Sequence, residues 1–377
     1  MCDTVTTPSK KKIGIITVHQ SVNFGATLQA FASNYFLRSR GYDAQTVDYR
    51  QPALEINSTV CGNIRASWRN DENRNPVHRL KLAISLAMSY PGKAARYKAF
   101  AKFRQKWLPM SKPCLNAEAI AALDYTHLVY GSDQIWNSDI TCGSDPVFFG
   151  AIPGAHKNIA YAASMGKACF SPEDEPRAAV WLRELDRCGV RELHMVPYIS
   201  QLTGKPAVQV LDPVFLPDAE VYRKIMAPPQ EIKPYVLLYC VVANSDAVRM
   251  ARELAAKHRL TLIEICSAKP HRSKHKVVAN IGPGEFLRYF ADASYIVTNS
   301  FHGTAFSILF EKSFWAVDNK NRGSRIRDLL KISGLSHRMV ENEIPEDEEA
   351  IDYARVNQNL ETEREHSRRF LLDALER

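Results

Sequence analysis

Residues 13–49, IGIITVHQSVNFGATLQAFASNYFLRSRGYDAQTVDY, carry the pattern that decides the fold. Residues 13–18 form a short apolar run rich in β-branched side chains, which predicts a buried strand. Residues 26–40 have helical periodicity and are followed by Gly41, a residue typical of helix ends. Residues 44–49 then predict a second strand. A strand, a helix and a strand in this order form the repeating unit of a parallel α/β sheet.

The same alternation continues along the chain. Strands are predicted at 126–130 and near 158–163, and again in the second half at 235–241, 261–266 and 295–298. Helices are predicted in that second half at 245–259, 282–293, 302–310 and 324–333. A chain of 377 residues that alternates in this way is long enough for two α/β domains.

Six prolines lie between Pro206 and Pro234, and Pro-rich polar sequence predicts a linker. We therefore expect two Rossmann-like domains that face a cleft, residues 1–230 and 231–340, followed by an acidic tail, residues 341–377. Within the tail, residues 353–376 are expected to form a helix. Doubly wound sheets bind ligands at the carboxyl ends of their strands, so the cleft is the expected ligand site.

The positive charge of the chain is concentrated in one basic segment, residues 65–107. The net charge is +8, yet residues 65–106 alone carry eleven Lys or Arg against Asp71 and Glu72. The preferred interpretation is a helix that packs on the core and turns a basic face to solvent. The alternative is docking on an anionic lipid surface or a lipid-linked substrate. The aromatic and finger patterns of nucleic-acid-binding proteins are missing, so nucleic acid is not an expected partner.

Several classes of protein are excluded by what the sequence lacks. The longest apolar run, residues 235–243, is half of what a bilayer-crossing helix needs. Eight cysteines include no C-x-x-C pair, so reduced thiols are expected rather than a zinc site. There is no D-x-D pair, P-loop or G-x-S-x-G elbow. We expect a cytoplasmic protein without metal or cofactor, which would lie at the inner membrane face if the basic segment docks there.

Two polar segments follow predicted strands of the first half. In residues 19–26, Asn23 and Gly25 allow a tight turn whose amides could face an anion; an ordinary strand-to-helix turn is an equal alternative. In residues 131–137, Ser132 and Asp133 come directly after a strand, where polar side chains are costly to bury unless they have partners. Asp133 could take a proton from a hydroxyl, although Asp is also a common turn residue.

A third polar segment, residues 298–304, follows a strand and opens a helix in the second half. Ser300 and Gly303 lie where backbone amides and the helix dipole favour an anion, and His302 is suited to move a proton near neutral pH. Arg191, Arg322 and Arg325 are candidate anion clamps, because a guanidinium group binds carboxylates and phosphates with two hydrogen bonds. The alternatives are a structural histidine and surface salt bridges.

With these segments in view, the chain resembles the polysaccharide pyruvyl transferase family. The resemblance runs in order from about residue 12 to 334 and rests on these stretches: NFGATLQA from Asn23, YGSDQIW from Tyr130, NIAYAASMG from Asn158, VLDPVFL from Val210 and EFLRYFADASYIVTNSFHGTAFS from Glu285. It implies two Rossmann-like domains similar to the GT-B glycosyltransferase fold. It also implies transfer of a pyruvyl group from phosphoenolpyruvate to a sugar, with formation of a cyclic ketal.

The resemblance implies roles for the residues named above. Phosphoenolpyruvate carries a carboxylate and a phosphate, for which Arg191, Arg325 and the Gly303 amide are candidate holders, and the donor-binding set also includes Asn23, Gly25, Ser132 and Ser300. His302 would protonate the methylene carbon, and Asp133 would accept a proton from the acceptor hydroxyl. The acceptor sugar could be lipid-linked.

One departure from the family pattern concerns residue 300. Some members carry Arg-x-His-Gly, whereas this chain has Ser300, so one anion contact is missing. Two other functions stay open at this point. One is a GT-B-type glycosyltransferase that uses a nucleotide sugar, and the other is a non-catalytic anion-binding module.

Overall fold

The structure is a computed structural model that describes residues 11–51, 54, 59–69, 71, 73, 75–230, 233–266, 275–318, 323–346 and 349–376. Two six-stranded sheets, in which every described pairing is parallel, organise the chain. The first contains β1 (Lys12–Ile16), β2 (Asp43–Thr46), β3 (His127–Tyr130), β4 (Lys157–Ala163), β5 (Arg187–Val190) and β6 (Ala207–Gln209). The second contains β7 (Tyr235–Cys240), β8 (Thr261–Cys266), β9 (Lys276–Val278), β10 (Tyr295–Thr298), β11 (Ser313–Val317) and β12 (Met339–Val340).

Helices connect and cover the strands. They are α1 (Phe24–Ser39), α2 (Val60–Arg69), α3 (Pro76–Trp107), α4 (Ala117–Ala121), α5 (Ser138–Thr141), α6 (Glu175–Leu182), α7 (Met195–Thr203), α8 (Ala219–Ile225), α9 (Ser245–Lys257), α10 (Pro283–Asp292), α11 (Phe301–Leu309), α12 (Ser324–Ile332) and α13 (Tyr353–Glu376). The predicted class, two Rossmann-like domains similar to the GT-B fold, is confirmed by this arrangement.

The order of strands creates one topological switch point in each sheet. The first sheet runs β2-β1-β3-β4-β5-β6, so the chain leaves β1 for β2 on one side and later returns to β3 on the other. The second runs β12-β11-β10-β7-β8-β9, with its switch between β7 and β10. Ligands of such sheets bind beyond the carboxyl ends of the strands at these points. The loops after β1, β3 and β10 are the three polar segments selected from the sequence.

The first unit differs from its prediction at its edges. Helix α1 begins at Phe24, two residues earlier than predicted, because the Asn23 side chain accepts a hydrogen bond from the Ala26 amide and caps the helix. Strand β2 ends at Thr46 rather than at residue 49. The Val47 amide donates one more hydrogen bond to the Ile15 carbonyl oxygen of β1, while Thr46 and Tyr49 form isolated bridges to Met110 and Cys114.

The Pro-rich stretch 206–234 is not an open linker, and this prediction was wrong. It contains β6, a short 3-10 helix at Pro213–Phe215 and α8, and the side chains of Val214 and Phe215 are fully buried. Proline is favoured at the first position of a helix, and Pro213 stands there behind the capping Asp212. In this stretch, proline marks the start of an element rather than a loss of structure.

An apolar core passes between the two halves without a break. Phe24 at the start of α1 stacks on Phe286 of α10, with ring centroids 4.4 Å apart, and Tyr222 of α8 meets Phe306 of α11 edge to face at 5.2 Å. These rings belong to one buried cluster. Aromatic pairs of this kind add to the area that they bury, so the two halves are held together on this side.

Helix α13, predicted as a helix at residues 353–376, is confirmed and packs on both halves. Near its start, Val356 and Leu360 are buried in the cluster that contains α11 and α12. Near its end, Leu371 and Leu375 pack beneath the first sheet with Ile13 of β1. The chain therefore crosses between the halves twice, once before β7 and once along α13.

The basic segment forms α2 and the 32-residue α3, but only part of it packs on the core. In α3 the buried residues are Phe100, Phe103 and Arg104, all in the last third of the helix. The predicted core-packing helix is therefore correct only for that third. Among the described helices, none combines the length and the apolar character that crossing a bilayer requires.

Candidate functional site

His302 lies in the first turn of α11, directly beyond β10. Ser300 caps this helix, and its Oγ accepts a hydrogen bond of 3.2 Å from the Gly303 amide. Gly303 is needed for close packing, because a β-carbon there would lie 2.2 Å from Thr298 Oγ1. The two residues proposed as anion holders thus bind each other. A donor-binding role for Ser300 and Gly303 stays a prediction.

The imidazole of His302 reaches across to the other half of the molecule. It lies against Gly25 in the first turn of α1, where a β-carbon would come within 2.1 Å of Nδ1. On its other side, Nε2 is 3.6 Å from Oδ2 of Asp212, an ion-pair distance that is too long for a hydrogen bond. Nε2 has no hydrogen-bond partner among the residues that the structure describes. The side chain is 10% exposed and lies between the two switch points.

Asp212 is the central carboxylate of the site. It is fully buried, and its Oδ2 is 2.6 Å from Nη1 of Arg191 and 3.1 Å from Oγ of Ser132. Its Oδ1 accepts from the Val214 amide. Burial alone would raise the pKa of Asp212, but His302 and Arg191 outweigh it, so the pKa lies well below its ordinary value. Asp212 is therefore a carboxylate in the folded protein at neutral pH.

Arg191 follows the carboxyl end of β5 and joins three groups. Besides the contact with Asp212, its Nη2 is 3.9 Å from Oδ1 of Asp133, and its guanidinium lies 4.8 Å from the centre of the Phe301 ring. Burial alone would lower the pKa of Arg191. The nearby carboxylates of Asp212, Glu192 and Asp133 have the larger effect, so the pKa lies above its ordinary value. Within the described part of the chain, its Nε and Nη2 have no hydrogen-bond partner. Two donor atoms of a charged group are thus available to a ligand.

Ser132 and Asp133, which follow β3, are used differently. Ser132 is buried: its Oγ also lies 3.1 Å from the carbonyl oxygen of Ala162, and its amide donates to Gln29 Oε1. Ser132 therefore helps to hold the Asp212 carboxylate in place. Asp133 has a left-handed backbone, with φ of 65°, and its side chain is partly exposed beside Arg191. Of the two, only Asp133 presents a side chain to the space between the halves.

A second buried pair lies next to the first. Arg325 of α12 has its Nε 3.9 Å from Oε1 of Glu192, which follows Arg191 and is fully buried. Ser164 Oγ donates to the same Oε1 at 2.5 Å. Burial and the nearby Arg191 lower the pKa of Arg325 to about 10. The Arg325 side chain thus reaches from the second half of the molecule to Glu192 in the first. Arg322, the other candidate clamp in this region, lies outside the described residues.

A small cavity lies on one side of these groups. Its volume is about 20 Å³, and Arg191, Asp212, Phe301 and Arg325 are among its lining residues. That volume accommodates about one water molecule. The Leu193 amide also donates to Asp328 of α12 across the same interface. On the other side, the His302 and Asp133 side chains are partly exposed.

The structure therefore brings together most of the residues selected from the sequence. Asp212 is contacted directly by His302, Ser132 and Arg191. Asp133 is linked to Asp212 through Arg191, and Arg325 lies near the adjacent Glu192. Asn23 serves as the helix cap of α1, and Gly25 is covered by the His302 imidazole. The anion-binding role predicted for Asn23 and Gly25 stays a prediction.

Sequence reasoning missed Asp212 and Glu192 as members of the site. Asp212 stands in the apolar stretch VLDPVFL, and a charge inside such a run is costly to bury without a partner. That signal was available. Glu192 adjoins Arg191 in the sequence and carries no comparable signal. Among the described residues, no group of three or more His, Cys, Asp or Glu is arranged to hold a metal ion.

Comparison with known proteins adds a family and a set of distant structural neighbours. A model of the family described as polysaccharide pyruvyl transferase matches residues 23–321. No curated protein matches the chain. Among solved structures, UDP-GlcNAc 2-epimerase from Neisseria meningitidis is 9% identical, with a TM-score of 0.46, over 97% of this chain and 99% of that one. An E. coli heptosyltransferase is 13% identical, with a TM-score of 0.40, over 93% and 99%.

Proposed function

Because the chain belongs to the polysaccharide pyruvyl transferase family, we propose that it transfers a pyruvyl group from phosphoenolpyruvate to two hydroxyls of one sugar. The acceptor is a polysaccharide or a lipid-linked oligosaccharide precursor, and the products are a cyclic ketal and inorganic phosphate. The reaction is proposed for the cytoplasm. The observation that supports it best is the contact of His302 and Arg191 with the buried Asp212, where the two switch points meet.

The first step is a proton transfer to the donor. Nε2 of His302 gives a proton to the methylene carbon of phosphoenolpyruvate, which makes the adjacent carbon C2 electrophilic. The ring lies against Gly25, and Oδ2 of Asp212 is 3.6 Å from Nε2, at ion-pair distance. Since Nε2 makes no hydrogen bond to a described residue, it has a free direction toward a substrate.

The anionic groups of the donor need cationic partners. Arg191 supplies Nε and Nη2, which make no hydrogen bond to described residues, and Arg325 supplies a second guanidinium. Asp133, Glu192 and Asp212 lie against these two arginines, so the anionic donor must compete with carboxylates of the chain for the guanidinium groups.

The acceptor then completes the reaction. Asp133 takes the proton from the first hydroxyl as its oxygen bonds to C2. The second hydroxyl bonds to C2 as the bond from C2 to the bridging oxygen breaks and phosphate leaves with that oxygen. One hydroxyl proton replaces the proton that His302 gave to the methyl group, and the other goes to the bridging oxygen, so that hydrogen phosphate leaves. Holding two hydroxyls near one carbon is mainly a matter of positioning.

The experiment uses heavy water to follow the proton. The full chain is incubated with phosphoenolpyruvate and candidate oligosaccharide acceptors in D2O, and phosphate release and acceptor mass are measured. We expect stoichiometric phosphate and an acceptor gain that matches one pyruvyl ketal whose methyl group contains deuterium. Product formation that depends on a nucleotide sugar and not on phosphoenolpyruvate would instead identify a glycosyltransferase.

A matched pair of variants tests the role of the imidazole. His302→Gln should lower phosphate release by about 100-fold or more, the usual effect of losing a general acid. His366→Gln changes an exposed histidine of α13 and should leave the rate unchanged. Equal rates for the two variants would contradict the proposed proton donor. A bound donor without turnover in the unsubstituted chain would favour an anion-binding module.

A further inference from the structure

One line of exposed residues runs the full length of α3. Every residue at the helical spacing 77, 80, 84, 88, 91, 95, 98, 102 and 106 is exposed. The line begins with Val77, Leu80, Ile84 and Met88, each more than half exposed. It ends with Lys98, Lys102 and Lys106. Because positions three and four apart share a helix face, these side chains form one surface, apolar in its first half and basic in its second.

The charged side chains of α2 and α3 have one sign. Neither helix contains an Asp or Glu, while α2 carries two Arg and α3 carries eight Lys or Arg. In the loop between the helices, Asp71 pairs with His78. A helix whose exposed apolar stripe is accompanied by bases of its own has the pattern of a helix that lies in the boundary region of an anionic bilayer.

The groove between α2 and α3 extends the apolar surface. It has a volume of about 940 Å³, and its walls include Ile64, Trp68, Leu86 and Tyr90. Arg79 stacks over the Trp68 ring at 3.5 Å and donates to the Trp68 carbonyl oxygen, which fixes the two helices to each other. Trp and Tyr favour the level of lipid headgroups, where one end of the ring is apolar and the other is wet.

We propose that the α2–α3 hairpin docks on the surface of an anionic lipid bilayer. The apolar half of the α3 line enters the region where headgroups meet acyl chains. Lys98, Lys102 and Lys106 then contact the anionic headgroups. This proposal concerns attachment to a membrane and does not depend on the reaction proposed above.

Charge argues against a second copy of the chain as the occupant. A symmetric dimer places the same patch of each copy against the other. Here that would oppose two sets of bases with no acid from either α2 or α3 between them. An anionic surface meets the same groups with the opposite sign.

Docking would also bring the membrane near the candidate site. Arg96 of α3 donates to the Val22 carbonyl oxygen at 3.4 Å and lies 4.9 Å from the Phe24 ring. Both residues adjoin Gly25, on which His302 rests. One helix of about 48 Å therefore joins the exposed line to the loop at the first switch point.

The test is flotation of the full chain with vesicles. Vesicles of phosphatidylcholine alone are compared with vesicles that also contain phosphatidylglycerol, in low and high salt. We expect binding to the anionic vesicles, weaker by at least 10-fold on neutral ones and in 1 M salt, where charge is screened within about 3 Å. Equal binding to both compositions, or no binding to either, would overturn the proposal.

Two matched pairs of variants test the two halves of the line. Vesicle binding should weaken by about 100-fold in the triple variant Lys98→Gln, Lys102→Gln, Lys106→Gln. It should not change in the control triple variant, which alters exposed bases elsewhere: Arg183→Gln, Lys224→Gln, Arg252→Gln. The double variant Leu80→Ser, Met88→Ser should weaken vesicle binding at least 10-fold. Its control, Leu115→Ser with Val180→Ser, alters exposed apolar residues elsewhere and should leave binding unchanged.

Light scattering without lipid tests whether a second copy of the chain, rather than a bilayer, covers this surface. All variants should fold, with unchanged thermal transitions, since the altered side chains are exposed. If Leu80→Ser with Met88→Ser converts a dimer to a monomer and leaves vesicle binding intact, the surface is an interface between copies. That result would also overturn membrane docking.

Discussion

The His302 imidazole rests on the backbone of Gly25, so the catalytic candidate of one half is positioned by the first helical turn of the other. A β-carbon at residue 25 would lie 2.1 Å from His302 Nδ1 and 2.4 Å from Cγ. These distances are far below van der Waals contact, so any larger residue at position 25 must move the ring or the helix.

Gly25→Ala should therefore reduce pyruvyl transfer more than it reduces folding. Overpacking costs about 1–3 kcal/mol of unfolding free energy, whereas a ring displaced by about 1 Å can cost about 100-fold in rate. Denaturant unfolding and phosphate release measure the two effects. Ser39→Ala, at the other end of α1, is the control and should have little effect on the rate. A Gly25→Ala protein with the unsubstituted rate would separate this contact from catalysis.

Asp212→Asn should strongly destabilise the chain. It removes the charged partner of Arg191 inside the protein, which typically costs about 3–5 kcal/mol. Asp218→Asn alters an exposed carboxylate beside Arg368 and should change the unfolding free energy by about 0.5 kcal/mol or less. Adding Arg191→Met to Asp212→Asn should cost less than Arg191→Met does alone, because the two residues share one interaction. Strict additivity would contradict a direct pair.

The contribution of Asp212 should also depend on pH. Its pKa is lower in the folded chain than in the unfolded chain, where Asp has a pKa of about 3.9. The carboxylate therefore stabilises the fold fully above about pH 4, and this contribution disappears as the pH falls through the folded-state pKa. The stability difference between the unsubstituted chain and Asp212→Asn should be constant from pH 5 to 7 and shrink below pH 4. A difference that grows on acidification would reverse the assignment.

Two helix caps allow stability and activity to be separated. Ser300 caps α11 and Asn244 caps α9, each through a side-chain oxygen that accepts a backbone amide. Replacing either with Ala should cost about 1 kcal/mol. Only Ser300→Ala should also slow phosphate release, because only α11 carries His302. Thermal unfolding and initial rates measured side by side test this, and equal rates for both variants would remove Ser300 from the site.

Arg325→Gln should act on donor binding. Its loss removes a guanidinium group that faces the interface near Arg191, so KM for phosphoenolpyruvate should rise at least 10-fold while kcat changes less. Arg327→Gln, two residues away on α12, breaks a pair with Asp318 at the surface and should leave both constants unchanged. A fall in kcat with KM unaltered would indicate that Arg325 does not hold the donor.

The fold could be predicted from the sequence because its signals are local. Periodicity and Gly41 define the first strand-helix-strand unit to within a few residues, and the second half repeats the alternation. The error at 206–234 has a physical reason. Proline density marks both linkers and helix starts, and only the burial of Val214 and Phe215, a tertiary property, distinguishes them.

The candidate site was harder to predict, because its contacts join distant parts of the chain. Polar residues after strands led to His302, Ser132, Asp133 and Arg191. Asp212, which contacts His302, Ser132 and Arg191, comes 80 residues after Ser132, and no local pattern links the two. The small cavity beside Arg191 likewise follows from tertiary packing. The bond from the Gly303 amide to Ser300 is local, since it is an ordinary helix cap.

The end of helix α13 lies beside the start of β1. Lys11, the first described residue, pairs with Glu376 at the end of α13, although α13 itself starts on the second half. The chain therefore links the two halves at two places, before β7 and along α13. Removal of α13 would leave a single link and would uncover Ile13, which lies in one buried cluster with Leu371 and Leu375.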